Sequence, residues 1–312
     1  MSRIVYACLA SEETAGGIKM VFRHVEALAA SGRKAVVLLA KPEHQPTWFE
    51  HAAPLAFGLE ALRDDDLLVT PEDALGITRT ALQRGMRPVV FCQNQHYAHV
   101  GVGKLSAEEV AGLGGFIAPS RTVADWLAWR YPGARVSLIP AFADERIFKP
   151  DRKRPAVILV PRKRQGEVAF LRDAFPVGYP QHADIPWFGV QGVPETVLAR
   201  GMATSTLFLS LSRYEGLGMT PLEAMASGCV VAGFTGGGGR EYATEENGFW
   251  AQDDDVMGAV HALGAAASLV SEGGPRLESM RAAAAKTARQ WSREAFLQAL
   301  EAYWTERLSS RP

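Results

Sequence analysis

The sequence predicts an α/β protein built from two Rossmann-like, doubly wound parallel-sheet domains facing a cleft. Three observations carry that prediction. Short apolar runs recur along the chain, each followed by a turn signal and a segment of helical period. The runs are apolar throughout instead of alternating, as strands covered on both faces are. The same strand–helix pattern then begins again after a charged, proline-punctuated stretch near residue 150. A length of 312 residues suits two domains, at about 100–200 residues each, and 47% hydrophobic residues supply a core for both.

Taken in order, the run 4–9 is the first strand, and the loop after it ends in Gly16-Gly17. The segment VFRHVEALAASG follows as a helix with Val21, Val25, Leu28 and Ala29 on one face and Ser31-Gly32 as its stop. The runs 35–40 (AVVLLA), 67–70, 89–92 and 116–118 repeat the strand signal, and VSLIP (136–140) closes the series. Residues 144–154 read as an inter-domain linker. A second series has strands at 157–160, 206–210 and 229–232, with a less regular piece around 187–189. The last segment, 292–308, is helical, with Ser292 as N-cap and Phe296, Leu300, Tyr303 and Trp304 on one face. The expected domains are 1–148, 149–291 and a C-terminal helix 292–312 packing back towards the first domain.

Charge and cysteine usage exclude several classes. A net charge of -1 and a pI near 6.7 give no basic face for nucleic acid. Cys8, Cys92 and Cys229 are few, odd in number and set in apolar runs, which predicts buried reduced thiols of a cytoplasmic protein. The N-terminus lacks the apolar run of a signal peptide, and no segment approaches 18 unbroken apolar residues. Peripheral contact with a membrane surface stays open.

The most informative stretch is YEGLGMTPLEAMASG, residues 214–228. Glu215 and Glu223 have seven residues between them, a spacing that fits neither one helix face nor one strand face. Glu215 follows a strand and sits beside glycines that permit close backbone approach. Thr220-Pro221 reads as a helix start, with Thr220 as N-cap and Glu223 at N3, so that a capping box would explain Glu223 without any ligand. A helix N-terminus suits phosphate, and a carboxylate on either side suits hydroxyls. A ligand with hydroxyls on both sides of a diphosphate is a nucleotide sugar.

SRYEGLGMTPLEAMASGCVVA resembles the donor-site motif of retaining GT-B glycosyltransferases, especially glycosyltransferase family 4, with its E-x7-E signature. Gly16-Gly17, and FIAPSRTVADWL followed by VSLIPAFADERIFKP, are similar to the family's N-terminal glycine loop and its passage into the linker. The resemblance thins between residues 166 and 200. It implies that Glu215 accepts hydrogen bonds from the donor sugar and that Glu223 holds the ribose. It also implies that the amides of Gly218, Met219 and Thr220 face the sugar and diphosphate, and that Gly16 and Gly17 approach from the other domain. The family's basic pair corresponds to Pro161-Arg162-Lys163-Arg164, with Arg162 the first choice, Lys163 the second and Arg164 the third. The contiguous bases depart from the family's spacing, and no full βα unit is evident after Arg164. His96, ahead of His99, matches a family histidine beside the transferred sugar. Ser120 is an N-cap, and 236–239 is either a plain flexible loop or an anion nest or lid. Trp126, Trp129 and Tyr131 form either core or an acceptor- or membrane-facing patch.

The implied function is sugar transfer from a nucleotide-diphosphate sugar to a glycan, lipid-linked or other hydroxyl acceptor, with retention and with no metal or other cofactor. A nucleotide-sugar epimerase of the same fold, or a non-catalytic nucleotide-sugar-binding protein, are the alternatives.

Overall fold

The computed structural model describes residues 2–9 and 14–309. These divide into two compact units, the first drawn from 1–141 and 296–312 and the second from 142–295. The sequence-based boundaries at 148/149 and 291/292 lie a few residues away. The stretch 144–154 is not an extended tether: Phe148 is buried, its amide bonds to the Asp144 carbonyl, and the Asp151 amide bonds to Ala203 within the second unit.

The first unit runs β1 (Ile4–Ala7), α1 (Gly16–Ala30), β2 (Ala35–Leu39), β3 (Leu55–Phe57), β4 (Leu67–Pro71), α2 (Leu75–Gln83), β5 (Val89–Phe91), α3 (Ala107–Gly112), β6 (Phe116–Ala118), α4 (Arg121–Arg130) and β7 (Val136–Leu138). Its sheet is parallel, in the order β3-β2-β1-β4-β5-β6-β7. The strand order reverses between β1 and β4, the place where open α/β sheets bind ligands beyond the strands' carboxyl ends. Val5, Leu38 and Leu68 pack against Ile77 and Ala81 of α2 on one side. Val90, Phe116 and Ala118 pack against Val123 and Leu127 of α4 further along the sheet. Ser120 caps α4 as expected, its Oγ accepting from Val123 N at 3.2 Å. Of the α4 aromatics, Tyr131 stacks on Phe116 with centroids 5.0 Å apart, Trp126 packs edge-on to Tyr131, and Trp129 points to solvent at 76% exposure.

The second unit runs β8 (Arg154–Leu159), α5 (Gln165–Gly178), β9 (Trp187–Gly189), α6 (Glu195–Thr204), β10 (Ser205–Glu215), α7 (Met219–Ala226), β11 (Val230–Gly237), β12 (Gly248–Ala251), α8 (Val256–Glu272) and α9 (Gly274–Gln290). Its parallel sheet has the order β12-β11-β10-β8-β9, with the reversal between β8 and β10. A full βα unit does follow Arg164, contrary to the sequence reading. Leu171 and Phe175 of α5 share one face and enter the same core as Val260 and Leu263 of α8. Pro176 inside the helix and the exposed Phe170 and Val177 blur that periodicity in the sequence.

The last helix, α10 (Arg293–Ser309), has the expected Ser292 cap, which accepts from Ala295 N at 3.3 Å. From Phe296 onwards it belongs to the first unit. Trp304 is fully buried and its Nε1 donates to the Tyr6 hydroxyl at 3.3 Å, while that hydroxyl lies 3.0 Å from His24 Nδ1. Burial pushes the His24 imidazole down to about 3, so it is a neutral core residue. Arg307 Nη1 donates to the Gly114 carbonyl at 2.9 Å, and Arg33 pairs with Glu301. Trp304→Ala would leave a large cavity and take one of two partners from the Tyr6 hydroxyl. It is expected to destabilise the first unit by about 3–5 kcal/mol, read as a lower urea midpoint.

Candidate functional site

In the second unit the sequence-predicted residues meet at the β8/β10 reversal. β10 leaves its ladder after Ser212, passes through a bulge and rejoins opposite Gly237 at Glu215. The bulge places Tyr214 at φ 51, in the left-handed region that non-glycine residues rarely adopt. Lys163, in the turn after β8, reaches across: its Nζ lies 2.8 Å from Glu215 Oε1 and donates to the Tyr214 carbonyl at 3.2 Å. Arg164 is buried and committed. Its Nε donates to the Ser212 carbonyl, its Nη1 lies 2.8 Å from both Glu167 and Asp254, and its guanidinium stacks 4.0 Å over Phe234. Arg162 is exposed. Lys163 forms an ion pair with Glu215.

The capping box expected at Thr220 does not form. The N-cap of α7 is Gly218, at φ 84 and with no side-chain cap bond, so the helix opens at Met219 and already contains Thr220. A left-handed glycine can start the helix two residues earlier than the Thr-Pro signal, and Thr220 then points from the first turn instead of closing it. Glu223 is a buried carboxylate on α7. The first amides of α7, at Met219 and Thr220, have no partner within the helix itself.

Tyr242 holds this loop from beneath. Its hydroxyl donates to the Gly218 carbonyl at 2.6 Å. Burial pushes its phenol far above the usual range, and the fields of Glu215, Glu223 and Glu241 add to the shift. The glycine run packs closely against the neighbouring loop. The Gly236 amide is already bonded to Asp253 Oδ1 at 2.9 Å, and a Cβ on Gly238 would sit 2.6 Å from the Gly216 carbonyl carbon. These glycines let two loop backbones touch.

The first unit gathers its own predicted residues near the β1/β4 reversal. Gly16 and Gly17 are the first two residues of α1 and not a loop before it; the opening turn has no intrahelical amide bonds to lose, so glycine costs little there. Gln93 Nε2 donates to the Gly17 carbonyl at 3.0 Å, and a Cβ on Gly17 would meet that nitrogen at 3.2 Å. His96 is exposed on the loop after β5, with its amide bonded to Asn94 Oδ1 at 3.0 Å. His99 Nδ1 lies 2.9 Å from the His96 carbonyl oxygen, which ties the two histidines through the backbone. Among the described residues no group of His, Cys, Asp or Glu is arranged to hold a metal, and no helix is long and apolar enough to cross a membrane. The three cysteines are buried thiols.

Sequence reasoning missed Tyr242, the strained Tyr214 and Glu72, a buried carboxylate just past β4. Only Glu72 carried a signal: an acid at the carboxyl end of an apolar strand.

The fold as a whole agrees with solved structures over the whole chain. Sucrose-phosphate synthase from Thermosynechococcus elongatus superposes with a TM-score of 0.74 at 14% identity, covering 100% of both chains. HepE of Anabaena, in complex with UDP-glucose, gives 0.66 at 15% identity, again over 100% of both. The fold is GT-B. Residues 188–291 of this GT-B chain match the model of glycosyl transferases group 1, a span that includes Glu215, Gly218 and Glu223. An alpha-1,6-glucosyltransferase of Actinobacillus pleuropneumoniae serotype 7 is 28% identical over 240 residues, covering 74% of this chain and 72% of that protein.

The Tyr242–Gly218 bond gives a direct test of the loop's support. Tyr242→Phe leaves the Gly218 carbonyl without its buried donor and is expected to cost about 1–3 kcal/mol. Chemical denaturation should show the loss with an unchanged circular dichroism spectrum.

Proposed function

We propose that the chain is a glycosyltransferase that moves a sugar from a nucleotide-diphosphate sugar to an acceptor hydroxyl. The observation that carries the reading is the Lys163–Glu215 pair at the β8/β10 reversal, next to the α7 N-terminus. An anion-binding group and a hydroxyl-binding group stand side by side there, as a sugar joined to a diphosphate requires. The group 1 match over the same loop supports it.

In this reading Glu215 accepts hydrogen bonds from the sugar's hydroxyls. Lys163, the first amides of α7 and the neighbouring Arg162 face the diphosphate, whose negative charge grows as the bond to the sugar breaks. Glu223 takes the ribose hydroxyls. His96 and the Gly17 turn of the first unit serve the sugar and diphosphate. The sugar carbon loses its bond to the diphosphate oxygen and gains one to the acceptor oxygen on the same face. The departing phosphate oxygen takes the acceptor's proton, so retention needs no protein base. UDP-glucose is the first donor to try, because HepE binds it and the Actinobacillus relative is named a glucosyltransferase. The acceptor belongs to the hydroxyl-bearing glycans or lipid-linked glycans of a bacterial cytoplasm, reached in the second case at the inner membrane face.

Glu215→Ala is expected to lower UDP-glucose turnover by at least about 100-fold while the urea midpoint stays near that of the wild type. Near-normal turnover would sink the site assignment. Transfer is also expected to survive EDTA, since Lys163 and the helix N-terminus supply the positive charge; activity lost on chelation and restored by manganese would overturn that.

A further inference from the structure

Glu72 is a buried carboxylate at the first unit's β1/β4 reversal that the proposed transfer does not use. Its Oε2 accepts from Gln93 N at 3.0 Å and its Oε1 from Asn94 N at 2.9 Å. Its own carbonyl accepts from Val102 N at 2.8 Å, and a Cβ on Gly101 would stand 2.1 Å from that oxygen. Both ends of the 93–102 loop therefore hang on one residue. The bonds continue outward: Asn94 Oδ1 holds the His96 amide at 3.0 Å, and Gln93 Nε2 holds the Gly17 carbonyl at 3.0 Å.

We propose that Glu72 is a positioning residue whose carboxylate sets the 93–96 loop, and through it His96 and the Gly17 turn, in the geometry that donor turnover needs. The proposal rests on the transferase reading. Two oxygens with no proton give each amide its own acceptor. A glutamine turns one of those positions into a donor facing a donor, and a neutral acid leaves a weaker acceptor there together with a proton that needs room, so the loop must shift.

The ionisable groups facing Glu72 are Asp73, next along the chain, whose charge disfavours its ionisation, and the buried Cys92 thiol, which burial and Glu72 push well above its ordinary value so that it stays neutral. Burial is the largest effect and raises the carboxyl from its ordinary 4.5 to about 7, against the pull of the amides. The folded carboxyl thus holds its proton more tightly than the unfolded one. Its ionisation costs stability, and that cost grows as pH rises from 4.5 to about 7. Loop geometry and stability therefore pull in opposite directions at this residue.

Glu72→Gln separates the two. It removes the buried charge, so the variant is expected to melt at about pH 8 within about 5 °C of the wild type. Hydrogen exchange at the Gln93 and Asn94 amides should nevertheless speed up at least about tenfold. UDP-glucose consumption should fall at least about tenfold in kcat/KM at about pH 8. Wild-type kcat/KM should drop towards the variant's as pH falls through about 7, whereas the variant's profile should lack that step. Unchanged exchange at both amides, or a variant that keeps the wild-type rate and pH step, overturns the proposal. A wild type that consumes no nucleotide sugar defeats the transferase reading instead, and the exchange measurement still decides whether Glu72 sets the loop.

Discussion

The way β10 ends governs the geometry of the second unit. A strand inside a parallel sheet has its carbonyls and amides paired on both sides, and side chains at its end point alternately up and down. The bulge after Ser212 breaks that alternation, and left-handed Tyr214 turns the chain so that Glu215 emerges beside Lys163. A left-handed non-glycine residue costs about 1–2 kcal/mol. The cost is offset locally, because Lys163 holds the Tyr214 carbonyl and Arg164 holds the Ser212 carbonyl. The basic turn after β8 and the acidic loop after β10 are thus one construction, and the three contiguous bases divide their work. Arg164 is the buried fastener, held by Glu167 and Asp254, and Lys163 is the half-open partner of Glu215.

The loop that follows is shaped by close backbone contacts more than by side chains. Gly218 must be left-handed to start α7 where it does, and Gly238 must lack a Cβ to lie against Gly216. Tyr242 then needs only one hydrogen bond to lock the Gly218 carbonyl. Its phenol cannot serve as an acid–base group, since burial and three neighbouring carboxylates all oppose its ionisation. Its contribution is mechanical support.

Much of this was legible in the residues. The apolar runs marked β1, β2, β4, β5, β6, β10 and β11, and the E-x7-E stretch marked the loop after β10. The strands that escaped notice, β3 and β12, lie at sheet edges. They are three and four residues long, and Leu55 to Phe57 and Phe249 to Trp250 are only partly buried or exposed. The false capping box had a different cause: Thr-Pro-x-Glu is a genuine start signal, overridden by a left-handed glycine whose backbone angle no sequence pattern displays. Tyr242 was invisible for a similar reason, because its one bond spans 24 residues to a backbone carbonyl.

Glu215 and Glu72 show two ways to keep a carboxylate beyond a parallel strand. Glu215 faces Lys163 in a pair where both side chains retain some solvent, 27% and 15% exposed. Such a pair is worth about 1 kcal/mol or less, so either partner can be traded for a ligand group at small cost. Glu72 faces backbone amides that belong to the fold and cannot leave, with burial raising the cost of its charge. A binding carboxylate needs the first environment, since its partners must change during turnover. A carboxylate that fixes a loop needs the second, since amides hold a direction in space that a flexible lysine does not. The proposed division of labour, Glu215 on the sugar and Glu72 behind the loop, follows from that difference in partners.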